Sequence, residues 1–208
     1  MLRRIATAAA ALLLFAPLTY AAPRPAVPVI DCFGDSITAG YGVAPGLTYP
    51  DDLQHDLDAR GYRYRVVNSG ISGNTSKDGV DRLQDILALH PAVVIVEFGG
   101  NDGLRGIPIA DTRRNLDRIV ATLVHAGSRV LLAGITLPPN YGPDYIRQFD
   151  AMYREIAARY RVPLLPMLYA NIYTVPGAIQ EDGIHPTAKG DQLLAGNVLP
   201  LLLPLLRK

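Results

Sequence analysis

The chain has 208 residues, a formal net charge of +1 and an apolar fraction of 49%. That length suits one domain with a substantial core, and the near-neutral balance gives no electrostatic footprint for nucleic acid or an acidic surface. Aromatics at 7% with no tryptophan argue against a stacking platform or a carbohydrate-binding module.

The first segment differs from the rest. Arg3 and Arg4 precede an apolar run from Ile5 to Leu18, followed by the small residues Ala21 and Ala22. This order is that of a secretory signal, so residues 1–22 read as a signal peptide and the product as periplasmic or secreted. The run is short for a membrane span and is interrupted by Pro17, so no stable membrane insertion is expected after cleavage. Residues 23–28 form a proline-rich lead-in, and residues 29–208 the folded domain.

Apolar runs then alternate with helical patterns, which predicts parallel β/α architecture. Strands are expected at Val27–Phe33, Tyr64–Asn68, Ala92–Phe98, Arg129–Ile135 and Val162–Pro166. Helices are expected at Pro50–Arg60, Ser76–Leu89, Ile109–His125, Tyr145–Tyr160 and Ala188–Leu199. Ala92–Phe98 (AVVIVEF) is nearly continuous in apolar and β-branched residues, as in a central strand covered on both faces. Thr187 suits the N-cap of the last helix, and Pro200 should end or kink it. Cys32, the single cysteine, reads as a buried strand thiol with no internal disulfide partner. The result is a three-layer αβα domain of about five parallel strands.

Four short segments fall just after strands or beside the last helix, where sites in open α/β sheets converge. They are Gly34-Asp35-Ser36-Ile37, Gly70-Ile71-Ser72-Gly73, Gly99-Gly100-Asn101-Asp102 and Asp182-Gly183-Ile184-His185-Pro186. Ser36 sits at a strand-to-helix turn, where a nucleophile could meet backbone N–H groups; Asp35 or Ser36 could equally be a helix cap. Asp182 and His185 are three apart, so the carboxylate can hold one ring nitrogen and leave the other to face Ser36. The other three histidines have structural readings: His55 on a solvated helix face, His90 and His125 at helix C-termini. Gly73 N–H, the Asn101 amide and Ser36 N–H could serve as oxyanion donors, although G-G-N-D is also ordinary turn chemistry. Gly70-Ile71-Ser72-Gly73-Asn74 lacks the last glycine of a nucleophile elbow, so Ser72 is not read as the nucleophile.

These four blocks resemble those of the SGNH, or GDSL, hydrolases, and the stretches GGNDGLRG (99–106), LPPNYG (137–142) and VPLLPM (162–167) resemble the family's secreted bacterial esterases. The resemblance implies a flavodoxin-like αβα fold with no metal and no organic cofactor. It implies a triad of Ser36, Asp182 and His185 with an oxyanion hole from Ser36, Gly73 and Asn101. It also implies that Leu104 and Ile107, in a loop closing over bound chains, and Leu137, Pro139, Asn140 and Tyr141 contact the substrate. The implied substrates are aryl and short-to-medium acyl esters, acyl thioesters and lysophospholipids, with water as the second reactant. Tyr49 stands where relatives commonly carry tryptophan and Asn74 where they often carry aspartate. A carbohydrate O-deacetylase or acyltransferase of the same family is the main alternative. A flavodoxin-like phosphate-binding module is remote, since Asp35 would repel phosphate and no P-loop Lys-Ser/Thr is present.

Overall fold

Residues 26–207 are described in a computed structural model. The signal peptide read at residues 1–22 and the first part of the lead-in lie outside the described residues. Five parallel strands, β1 (Val29–Gly34), β2 (Arg65–Asn68), β3 (Val93–Glu97), β4 (Arg129–Ala133) and β5 (Leu164–Leu165), form one sheet in the order β2-β1-β3-β4-β5. This is the flavodoxin-like order, with its switch point between β1 and β3.

Residue alternation along the strands builds the two apolar layers. Ile30, Cys32, Val93, Ile95, Leu131 and Ala133 face one side, against α2 (Tyr49–Ala59) and α8 (Ala188–Leu202). Phe33, Val94, Val96, Val130 and Leu132 face the other. There they meet α4 (Leu83–Ala88), α6 (Ile109–His125) and α7 (Pro143–Tyr160). Every residue of β3 is buried, as a strand covered on both faces requires. Cys32 is free and fully buried, and burial pushes its thiol up, away from the reactive thiolate.

Several expectations are corrected. The helix predicted over Ser76–Leu89 breaks at Arg82 into α3 (Ser76–Asp81) and α4. Arg82 leaves helical geometry because its guanidinium is drawn inward, donating to Gly34 O (2.7 Å), Ser69 O (2.7 Å) and Asn74 Oδ1 (2.8 Å). Pro200 does not end the last helix, which runs on to Leu202. Burial of Val198, Leu199 and Leu202 outweighs the missing N–H. The helix expected to follow the Ser36 turn is the short α1 (Ser36–Ala39), whereas α5 (Gly100–Leu104), after β3, was not foreseen. The first strand starts two residues later than predicted, and β5 has shrunk to two residues. Thr187 does cap α8, its side chain accepting from Gly190 N–H. Among the described residues no helix is long and apolar enough to cross a membrane.

One buried acid makes stability depend on pH. Asp191, in the first turn of α8, is fully buried, and neither carboxylate oxygen makes a hydrogen bond of normal geometry. Burial raises its pKa to about 7, with Tyr49 N–H offsetting only part of that rise. Between the unfolded value of 3.8 and about 7 the folded protein holds a proton that the unfolded chain has released. Stability from this group therefore falls as pH rises through that window. Asp191→Asn removes the titration. Urea denaturation should show it more stable than the parent by about 1–3 kcal/mol at pH 8, with the gain shrinking as pH falls toward 4.

Candidate active site

At the end of β1 a side chain on Gly34 would collide with Thr38 and Glu97, so only glycine permits the tight turn there. Asp35 follows as the N-cap of α1, its Oδ1 accepting from Ile37 N–H (3.0 Å). The turn delivers Ser36 as the first residue of α1, at the carboxyl end of β1. Asp35 is thus the cap, and the Ser36 hydroxyl is left for another partner.

That partner comes from the far end of the chain. His185 Nε2 lies 2.8 Å from Ser36 Oγ, and His185 Nδ1 lies 2.6 Å from Asp182 Oδ2. With a carboxylate at Nδ1, that nitrogen carries the proton and Nε2 accepts from the serine hydroxyl. The second aspartate oxygen accepts from Ile184 N–H (2.9 Å) and His185 N–H (3.0 Å). The bond from His185 foremost, against a small opposing effect of burial, lowers the Asp182 pKa to about 2. The carboxylate stays ionised far into the acid range. His55, His90 and His125 are all exposed.

The three expected oxyanion donors fare differently. Among the described residues Ser36 N–H and Gly73 N–H donate to no protein group, so both are free for a ligand. Asn101 comes to the same place from the loop after β3. Its Nδ2 donates to Asp35 Oδ2 (3.0 Å) and to Asn74 O (3.0 Å). Both of its hydrogens are therefore engaged, and a ligand oxygen placed here would have to share one of them. Gly73 is fixed from outside by Arg105, which donates to its carbonyl at 2.9 Å.

A polar layer beneath the site was not legible in the sequence. Glu97 closes β3 and is fully buried; its Oε2 accepts from Asp35 N–H (3.2 Å) and Thr38 Oγ1 (2.9 Å). Burial first, then the charge of Asp35, pushes the Glu97 carboxyl well up. Burial also raises Asp35, to about 6, against the bonds it accepts. Arg82 covers Phe33, with its guanidinium carbon 4.6 Å from the ring centroid, while binding the carbonyls of Gly34 and Ser69. A single side chain thus ties the Ser36 turn to the loop that carries Gly73.

Beside Ser36 lies a small cleft of about 60 Å³, lined by Ile37, Leu104, Ile135, Leu137, Tyr169, Tyr173 and Ile184 among others. It shares Thr136, Leu137, Pro138, Tyr173 and Gly183 with a wider hollow of about 410 Å³ that Pro139 and Met167 also line. Of the substrate residues expected from sequence, Leu104, Leu137 and Pro139 line this groove. Ile107, Asn140 and Tyr141 line neither part. Tyr141 instead donates its hydroxyl to Leu104 O (3.0 Å), and the Ile107 carbonyl faces Tyr145. Ile37, Ile135, Tyr169, Tyr173 and Ile184 were missed, although Ile37 and Ile184 each adjoin a residue already singled out. A second hollow of about 410 Å³, at the opposite end of the sheet and lined by Arg63, Tyr64, Arg129 and Arg207, holds no nucleophile–base pair.

Comparison with known proteins identifies the family. Residues 32–193 match the model of the GDSL-like lipase/acylhydrolase family. Over 174 residues the chain is 45% identical to esterase TesA of Pseudomonas aeruginosa, covering 83% of this chain and 87% of that protein. It is 39% identical to thioesterase 1/protease 1/lysophospholipase L1 of Escherichia coli K12, covering 83% and 82%. A crystal structure of TesA superposes with a TM-score of 0.82 at 44% identity, covering 86% of this chain and 99% of that one. The chain belongs to the GDSL-like lipase/acylhydrolase family and is a serine ester hydrolase with the three-layer fold of that family.

Proposed function

We propose that the protein hydrolyses carboxylic esters of apolar acyl chains, including aryl esters, acyl thioesters and lysophospholipids, through an acyl-enzyme on Ser36. The observation that carries this reading is the unbroken hydrogen-bond chain Ser36–His185–Asp182. His185, oriented by Asp182, takes the Ser36 proton as the oxygen attacks the carbonyl carbon. Ser36 N–H and Gly73 N–H receive the oxyanion, with the Asn101 amide sharing a hydrogen as the negative charge develops. His185 then protonates the departing alcohol or thiol. It next removes a proton from the water that releases the acid and regenerates Ser36. The apolar side chains of Ile37, Leu104, Leu137 and Ile184 favour a hydrocarbon acyl group over a sugar beside the nucleophile.

Ser36→Ala should abolish hydrolysis of p-nitrophenyl butyrate and labelling by a fluorophosphonate probe. Asp182→Asn should keep the fold but lower kcat by about 10³–10⁴. Retained turnover in Ser36→Ala would remove the assignment.

Acyl preference is read from a p-nitrophenyl series from acetyl to palmitoyl, run beside acyl-CoA thioesters and acetylated xylan. The expected result is a kcat/KM that rises from acetyl into medium chains, with Leu104→Ser lowering it for those chains by about tenfold and sparing acetyl. Activity confined to the acetylated glycan would instead favour the O-deacetylase.

The Arg3-Arg4 start, the apolar run to Leu18 and the alanines at 21 and 22 further support export, with action outside the cytoplasm. In a bacterial host, intact-mass measurement of the extracytoplasmic protein should find a chain that begins at residue 22 or 23. Recovery of only the full-length chain from the cytoplasm would count against export.

A further inference from the structure

We propose that Tyr41 and Gln180 form a strap that positions the His185 imidazole over Ser36, with the Tyr41 ring steadying the imidazolium that forms during turnover. The proposal rests on the triad reading above. Tyr41 N–H donates to Ser36 O (3.0 Å), so its backbone is fixed to the nucleophile's own peptide. Its ring lies 4.6 Å from the His185 ring, tilted by 42°. Its carbonyl accepts from Gln180 Nε2 (2.7 Å), and the same nitrogen donates to the carbonyl of Pro186 (2.7 Å), the residue after His185. Gln180 N–H in turn donates to His185 O (2.8 Å). Two carbonyl acceptors on one amide nitrogen fix which end of the Gln180 side chain is NH₂.

Two independent features mark this as a built contact. Gly42 has a φ of +75°, and a side chain there would lie 2.5 Å from Gln180 Oε1 and 2.8 Å from Nε2. The turn after α1 is shaped to admit Gln180. Meanwhile Tyr41 is 53% exposed, so its position does not come from burial in the core. An aromatic face held beside an imidazole opposes rotation of that ring, and its π-electrons attract positive charge. Positive charge appears on His185 in both proton transfers. The contact therefore strengthens in the transition states and belongs to kcat more than to substrate binding.

The test measures kcat and KM for p-nitrophenyl butyrate in Tyr41→Leu, Tyr41→Phe, Gln180→Ala and the Tyr41→Leu/Gln180→Ala double variant, with Ser36→Ala as control. Tyr41→Leu should lower kcat by roughly two- to fivefold at unchanged KM, and Tyr41→Phe should restore most of it because the ring is retained. Gln180→Ala should lose about tenfold, and the double variant little more, since the two residues act as one unit. The strap is overturned by wild-type kcat in Tyr41→Leu, by equal losses in the leucine and phenylalanine variants, by strictly additive losses, or by changes in KM alone. If Ser36→Ala is inactive while Tyr41→Leu matches wild type, the strap falls and the triad stands. Turnover surviving in Ser36→Ala would remove the triad reading itself.

Discussion

The hydrogen bond between Ser36 and His185 joins side chains 149 positions apart, and nothing local to either residue produces it. It exists because β1 ends at a switch point of the sheet and because the loop entering α8 returns to that same edge. After β1 the chain turns towards β2 on one side, and β3 lies on the other, so a crevice opens between their carboxyl ends. Ser36 leaves β1 into that crevice and Asn101 leaves β3 into it. The packing of α8 on α2 and on the central strands then fixes how far Thr187 and the preceding His185 loop reach across. The core's apolar layers therefore act on the chemistry through the position of one helix start, which the Thr187 cap holds.

Given that frame, the site needs polar groups in places where burial penalises them. Glu97 and Asp35 approach each other under the Ser36 turn, and Arg82 lies along the aromatic rings of Phe33 and Phe98. Each of these groups is held by backbone as well as side-chain partners. Arg82 binds two carbonyls and an amide oxygen from two segments, the end of β1 and the loop after β2, an arrangement that a planar fork of donors satisfies and a lysine does not. The break between α3 and α4 is the backbone's response to that demand. A helix of uninterrupted amphipathic period would have left the guanidinium pointing elsewhere.

This is also why the sequence was readable in some places and silent in others. The strands came from runs such as AVVIVEF, whose burial on both faces leaves a compositional trace, and Ile109–His125 came from an apolar stripe packed on one side. The four blocks were legible because turn glycines and reactive side chains sit together within a few residues. The Arg82 break, the run of α8 through Pro200 and the cleft walls supplied by Tyr169 and Tyr173 depend on contacts between distant segments, which leave no local period. Gln180 reaches Tyr41 across 139 positions, and no pattern around either residue announces it. Export, read from the first 22 residues, rests on the sequence alone.

Charge beneath the proposed oxyanion position poses a separate problem. A carboxylate at Asp35 touches the Asn101 amide, and a second one at Glu97 would put two buried negative charges just below the place where the reaction develops another. That arrangement would oppose the transition state. The difficulty eases because burial and the charge of Asp35 push the Glu97 carboxyl well up while burial also raises Asp35, which favours one charge on the pair over two. That single charge has a use. It orients the Asn101 amide dipole before substrate arrives, and the Asn74 carbonyl holds the same nitrogen from a second direction. The amide is thereby fixed in place, and in the proposed mechanism the oxyanion comes to share a hydrogen that already has a protein acceptor.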